Sequence, residues 1–389
     1  MSIQQNLKKP QESTLISDFS HLLLSWEDLS WEDALELAIM GLKRGDFQQR
    51  WELTKILPKL GVGVIPSLLQ IWENETEEVE LRWFVGRILG QFSQPEVILS
   101  LVKVLQESQE EDLLTIASES LANFGQEAIY SLTPLLVSNN QEIRLLVIKA
   151  LAQIRSGESI EPLASMIDDP NPEIRALVVE TLGSFHQPQI TDILVEALQD
   201  KAGKVRKQAA IALGFRHSSE ITPGIVDYLQ PLLSDLNPEV CQEVAFSLGR
   251  IGTIDAIEAL FPVLKSPATP AWLKLPIIRA LNWCENSKAI FYLGETLNWV
   301  DVYLSEEIIL NLGRQNKNEL KQQATDILVN YLLSQNGAIA SVSIRQKIAI
   351  SLGNLEQKNA RKALELLSQD SEQIVRLHAN YALKQMECN

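Results

Sequence analysis

Ile174-Arg-Ala-Leu-Val-Val-Glu-Thr-Leu-Gly183 returns as Val205-Arg-Lys-Gln-Ala-Ala-Ile-Ala-Leu-Gly214, and again as Ile344-Arg-Gln-Lys-Ile-Ala-Ile-Ser-Leu-Gly353. With the arginine as position zero, the register extends to residues 50, 82, 114, 144, 175, 206, 241, 274, 305, 345 and 376. The leucine at +7 defines this register, so positions +3 and −1 are its independent tests. Position +3 holds Leu53, Val85, Ala117, Val147, Val178, Ala209, Val244, Ile277, Ile308, Ile348 and Ala379, and position −1 is apolar everywhere except at Gln49. Residues at −1, +3 and +7 lie four apart and share one stripe of an α-helix, which predicts a buried face. Small residues at +6, among them Ala150, Ala212, Ala280 and Ala382, let a neighbouring helix come close. Glycine at +8 (Gly90, Gly183, Gly214, Gly249, Gly313, Gly353) stands where the helix is expected to stop in a left-handed residue.

The start of each such helix is written as plainly. Asn171-Pro-Glu173 and Asn237-Pro-Glu239 set an N-cap side chain, a proline at the first helical position and an acid at the positive end of the dipole. Asp46, Asn140, Asp301 and Ser341 occupy the same cap position in other repeats, and Pro276 is expected in the first turn of its helix. Ahead of each capped helix runs a second apolar segment, such as residues 129–137 or 159–167, with a proline near its start or at a bend. Each repeat therefore reads as helix–turn–helix–turn in about 31 residues. A two-helix unit cannot enclose its own apolar stripe, so the units must stack. The expected fold is all-α: a right-handed α-solenoid of about eleven short helix pairs forming one elongated domain over residues 46–389. A loose tail at 1–14 and a helical cap at 15–45 precede it, with Ser-x-x-Asp helix starts at 25–28 and 30–33.

Composition narrows the function. The 389 residues carry 34 Lys+Arg against 50 Asp+Glu, a net charge of −16, which works against nucleic-acid phosphates. Cys241, Cys284 and Cys388 are odd in number and far apart, so neither a disulfide framework nor a zinc knuckle is written. The polar start lacks the apolar core of a signal peptide and no stretch reaches 18 apolar residues, so a cytoplasmic protein with no membrane span is expected. His21, His186, His217 and His378 fall in different repeats without a His or Cys partner at ligand spacing, and no phosphate-cradling or nucleophile-elbow motif occurs. No catalytic residue and no metal site are expected.

Asp169-Pro-Asn-Pro-Glu-Ile-Arg175, followed by Val178, Leu182 and Gly183, resembles the short HEAT repeat, and in particular the HEAT-like variant of phycobilin lyases (the PBS-lyase class). The spacing of six from Asp to Arg recurs in Asp200–Arg206 and Asp370–Arg376, whereas Asp235 is followed by Cys241. The resemblance covers about residues 46–386 and implies an armadillo-like, protein-binding scaffold or assembly factor, linked to phycobilisome or photosynthetic complex biogenesis. The alternative it implies is a bilin lyase that attaches or removes a linear tetrapyrrole on phycobiliprotein cysteines; a bilin is the one cofactor contemplated, and only there.

Three residue sets carry these expectations. Arg82, Arg144, Arg175, Arg206, Arg345 and Arg376, with Asp169, Asp200 and Asp370, read as a structural ladder in which each arginine pairs with the group six residues earlier or with its equivalent next door. At +1 and +2 of the early repeats, Trp51, Trp83, Phe84, Ile116, Leu145, Leu146 and Leu177 read either as a partner-binding groove or as packing against the adjacent helix. The same positions turn polar later (Lys207, Gln208, Glu243, Glu306, Glu307, Lys347), so the expected partner is a protein with an amphipathic helix or basic patch lying along one half of the groove. Runs Glu73–Glu80 and Glu107–Asp112 read as solvated faces or as that partner's electrostatic lure. Trp272, Arg279, Trp283, Cys284, Trp299 and Asp301 read either as filler of an irregular repeat or as a cluster for a flat, charged ligand. The 40-residue step from 305 to 345 implies an enlarged first helix or loop.

Overall fold

The computed structural model describes residues 29–216, 224–334 and 336–388. The expected tail, the cap up to residue 28 with its Ser25–Asp28 run, His21 and His217 lie outside them, as does the Cys388 side chain. Every regular element among the described residues is helical. The second helices of the pairs are Phe47–Ile56, Val79–Leu89, Glu111–Asn123, Gln141–Ile154, Pro172–Gly183, Gly203–Gly214, Pro238–Ile251, Ala271–Trp283, Val302–Leu312, Val342–Leu355 and Gln373–Cys388. The chain divides into two compact units, one up to Val178 and one from Val179.

Burial follows the register. All eleven +3 residues, from Leu53 to Ala379, are 0% exposed. At −1 the residues from Leu81 to Val375 are buried, and only Gln49 is half-buried. The +7 leucines from Leu57 to Leu352 are fully buried, while Leu383 in the last pair is half-buried. Each fully buried Leu or Val contributes about 2 kcal/mol of hydrophobic free energy, so this stripe is the main cohesive force of each unit.

Glycine at +8 does a different job from the one its position suggests. Gly90 and Gly313 are right-handed (φ −60° and −70°), and the other four lie within helices. Among the described residues, six of the seven positive-φ residues come three places later, at +11: Gly61, Gly125, Arg155, Gly252, Glu285 and Glu356 (the seventh is Gly224). What the +8 glycines supply is room. A Cβ at Gly90, Gly183, Gly214, Gly249, Gly313 or Gly353 would come within 2.5–2.8 Å of Ser120, Ala212, Ser247, Ala280, Ser351 or Ala382, each the +6 residue of the next repeat. Across the gap, Ser120, Ser247 and Ser351 donate their hydroxyls to the +4 carbonyls of Gly86, Ala210 and Ile309, at 3.1, 2.8 and 2.9 Å.

Caps and prolines set the helix limits. Asp46 forms a capping box with Gln49, and Asn140, Asn171, Asn237 and Asp301 accept N–H bonds from their first turns at 2.9 Å. Ser341 holds the cap position without a side-chain bond. Ser30 caps Trp31–Arg44, accepting from the Asp33 N–H. Pro134 and Pro231 each turn a short first helix into a 3-10 segment, since proline cannot donate to the i−4 carbonyl. Pro276 departs from expectation: its helix begins at Ala271, which puts the proline in the second turn and leaves the Trp272 carbonyl without its intrahelical donor. The long step before residue 345 is taken up by an enlarged first helix, Asn318–Leu333, and a 3-10 turn, Gly337–Ala340.

Gly249→Ala tests the close approach. An alanine in a helix normally gains about 1 kcal/mol over glycine. Here its methyl would sit 2.8 Å from the Ala280 backbone, and the forced repacking costs about 1–3 kcal/mol. The variant is therefore expected to unfold at lower urea concentration than the wild type, the reverse of the propensity effect.

Candidate functional site

Position zero builds a polar seam along the turns. The Arg144 guanidinium donates to both carboxylate oxygens of Asp169, six residues before the next arginine, at 2.7 and 3.2 Å, and to the Ser138 carbonyl six residues before itself at 2.8 Å. Arg206 repeats this with Asp235 (2.7 and 2.6 Å) and the Asp200 carbonyl, and Arg345 with Asp370 (2.6 and 3.2 Å) and the Ile339 carbonyl. Arg175 and Arg376 donate to the carbonyls of Asp169 and Asp370. Each aspartate also accepts the N–H two residues on, at 2.7–2.9 Å for Asp169, Asp200, Asp235 and Asp370, so the turn and the rung fix one another.

Where the arginine is replaced, its acid is replaced too. Cys241 is matched by Ala268 and Ser305 by Ile339, while Lys274 lies 6.0 Å from the ring of Trp299, which stands in the acid's place. Cys241 donates its thiol to the Asp235 carbonyl that an arginine would otherwise reach. Arg82 departs from the expected ladder. It is buried and donates Nε to the Trp72 carbonyl at 2.9 Å, but Ser108 stands where its aspartate belongs.

The early repeats carry an aromatic face. Phe47 is 57% exposed, stacks on Trp51 at 6.3 Å and meets Phe84 edge-on at 5.2 Å. Trp51 and Trp83 are half-buried, and the Arg87 guanidinium lies 4.8 Å over the first indole and 5.7 Å over the second. Leu145, Leu146 and Leu177 are half-buried as well. Phe84 and Ile116 do not belong to the surface: at 0% and 2% exposure they are core, because +2 turns inward wherever an aromatic or β-branched side chain can pack beneath +1. In the unit from Val179, the equivalent face is occupied by ion pairs between successive helices: Lys207–Glu239, Arg279–Glu307 and Lys347–Glu306. Part of the Glu73–Glu80 run is likewise spoken for, since Glu77 pairs with Lys43 and both Glu78 and Glu80 pair with Arg50.

The six residues of the later set are not assembled into one site. Trp272 and Trp283 sit at opposite ends of Ala271–Trp283, about 16 Å apart along the axis. Trp283 packs on Phe246 at 5.2 Å, Asp301 is spent as an N-cap and Arg279 pairs with Glu307. The Cys284 thiol donates to the Ala280 carbonyl, and burial pushes its pKa up to about 12. Among the described residues no group of three or more His, Cys, Asp or Glu is placed to hold a metal ion, and no helix is long and apolar enough to cross a membrane.

Residues 129–214 and 191–282 match the HEAT repeats family. The paired helices and the recurring buried stripe are those of an α-solenoid, and the matched part, residues 129–282, carries HEAT repeats. Among solved structures it is similar to Kap121p (TM-score 0.61, 14% identity, 97% of this chain and 50% of that one). It is similar also to Kap95p in the structure describing how Kap95p binding switches the loops of RanGDP (TM-score 0.56, 13% identity, 96% of this chain and 57% of that one). The chain thus spans about half the length of these proteins, and the likeness is one of fold. The complex of CpcE and CpcF of phycocyanin lyase from Nostoc sp. PCC7120 is similar at 24% identity over 39% of this chain and 97% of that one, with a TM-score of 0.33. No curated protein matches the sequence.

Two measurements check this geometry. The Arg345 guanidinium holds Asp370 below its ordinary value of 3.8; burial pushes Asp235 up, but Arg206 and the Asn237 N–H outweigh it and leave that carboxyl lowered too. A carboxyl lowered on folding stabilises the protein above its unfolded pKa, and the contribution is lost as pH falls through the folded value. Asp370→Asn is expected to cost about 2–3 kcal/mol at pH 7. Its denaturation midpoint should converge on the wild type's as pH drops from about 4 towards 2. Cys284 should react with iodoacetamide at pH 8 about a thousandfold more slowly than an ordinary thiol, as peptide mapping of the alkylated protein would report.

Proposed function

We propose that the protein is a non-catalytic binding scaffold or assembly factor of the cytoplasm, which holds a partner protein against the aromatic face of the unit ending at Val178. The observation that carries this reading is the group Phe47, Trp51, Trp83 and Arg87: two indoles from successive helices share one exposed-side guanidinium, with a largely exposed phenyl ring beside them. Tryptophan and arginine are the side chains that most often dominate binding energy, and stacking fixes Arg87 before a partner arrives. Leu145, Leu146 and Leu177 extend the same row, which suits the apolar side of an amphipathic helix. The Kap121p fold, seen in one structure bound to the extreme C-terminus of the phosphatase Cdc14p (TM-score 0.52), gives a precedent for a protein ligand.

The bilin-lyase alternative, with its link to phycobilisome assembly, rests on the repeat's resemblance; the separation of Trp272 from Trp283 and the raised pKa of the Cys284 thiol weigh against a tetrapyrrole pocket there. Affinity purification from the native cell, with an absorption spectrum of the eluate, separates the two. A stoichiometric colourless protein supports the scaffold, and a coloured eluate containing antenna subunits supports the lyase. The double variant Trp51→Ser, Trp83→Ser should lose that protein by about tenfold or more while keeping its helical circular dichroism. Undiminished capture would remove the aromatic face as the docking site.

A further inference from the structure

Arg82 is the rung the array leaves open. It is only 7% exposed, yet among the described residues no carboxylate lies within ion-pair distance and its Nη groups have no hydrogen-bond partner. The reason is local. Ser108 occupies the place of Asp169, Asp235 and Asp370, and its hydroxyl accepts the Glu110 N–H at 3.1 Å, so it holds the same turn. It lacks the carboxylate that would reach back to the guanidinium. In its stead is a cleft of about 300 Å³ lined by Arg82, Ser108, Lys103 and the acids Glu73, Glu75, Glu107 and Glu110. Burial pulls the Arg82 pKa down, whereas Arg206 and Arg345 are raised by their aspartates. A buried guanidinium with unspent, forked donors calls for a carboxylate.

The rim decides what kind of carboxylate. Glu73 is engaged by the Ser100 hydroxyl at 2.6 Å and Glu107 approaches Lys103 at 4.0 Å, which leaves Glu75 and Glu110 facing Arg82 as unpaired negative charges. A bare anion would be repelled by them, and a carboxylate flanked by cations would not. We infer that this cleft takes an Asp or Glu side chain of a partner protein, set between Lys or Arg residues in an extended segment, so that the missing rung is completed in trans. The inference rests on the proposed scaffold function and adds the chemistry of a second point of attachment. The carboxylate spans the two Nη groups as Asp235 spans Arg206, and the flanking cations meet Glu75 and Glu110.

The test uses the full chain and a fluorescein-labelled peptide, acetyl-Lys-Ser-Asp-Ser-Lys-amide, beside its twin with Asn for Asp, read by fluorescence polarisation at low salt. The wild type is expected to bind the Asp peptide about tenfold or more tightly than the Asn peptide. Ser108→Asp supplies the rung in cis: it should abolish that discrimination and raise the thermal unfolding midpoint. Ser108→Asn, which keeps the turn but not the charge, should leave discrimination intact, and Arg82→Lys, which keeps the charge but not the fork, should reduce it. Equal binding of the two peptides, absence of binding, or discrimination that survives Ser108→Asp would each overturn the inference. Partner capture that depends on Trp51 and Trp83 would stand regardless, so the two readings fail separately.

Discussion

The spacing between successive second helices is the constraint on which the rest of this structure depends. It is set where the +8 residue of one repeat meets the +6 residue of the next, at distances that leave no space for a methyl group. A glycine inside a helix costs about 1 kcal/mol, and this chain accepts that cost at Gly183, Gly214, Gly249 and Gly353. The return is contact. With backbones this near, the +6 serines reach the +4 carbonyls, and the −1, +3 and +7 side chains of one helix press against those of the next with almost nothing exposed. Neither helix of a pair could achieve this alone, since each would leave its apolar stripe in water.

Close approach fixes distance, and the rungs fix register. A buried ion pair gains little net free energy once its desolvation is counted, but removing one partner is expensive. The chain's own exceptions obey that asymmetry: Cys241 with Ala268, Ser305 with Ile339 and Lys274 with Trp299 each alter both ends at once. A neutral pair strands no charge, and a lysine against an indole trades the ion pair for a cation–π contact. Arg50 with Thr76 and Arg82 with Ser108 alter one end only, but Arg50 recovers carboxylates from Glu78 and Glu80, so a physical explanation is owed at Arg82.

How much of this was legible in the sequence depends on whether a residue has one physical reason to be where it is. The +3 position has one, burial, and reading its periodicity suffices for all eleven repeats. Glycine at +8 has two plausible reasons, a left-handed cap or a close approach, and they differ only in a neighbour that lies about 30 residues away; the left-handed residue turned out to sit at +11, three times without glycine at all. Phe84 and Ile116 stay open between groove and packing because +2 lies off the stripe by helical arithmetic; a flanking ring at Phe47 or a crowded neighbour turns that edge into core. The tryptophans at 272, 283 and 299 look clustered along the chain, yet a helix puts residues eleven apart on opposite ends. Arg87 went unread although a signal existed: an arginine at +5 following tryptophans at +1 of two successive repeats.

The same arithmetic explains how a fold this regular acquires a specific face. The −1, +3, +6 and +7 positions are committed to stacking, and position zero to the rungs, so variation falls on +1, +2 and +5. In the unit from Val179 several of those positions pair with opposite charges on a neighbouring helix, as Arg279 does with Glu307 and Lys347 with Glu306. In the unit ending at Val178 they carry indoles and leucines whose outer sides have no internal partner of comparable size, with one arginine held between the rings. Charged pairs spend their interaction energy within the chain; half-covered aromatic surface keeps part of its energy for whatever next excludes water from it. A solenoid therefore needs no new element to become a binding protein. It needs a run of repeats in which the residues not required for stacking are left without partners of their own.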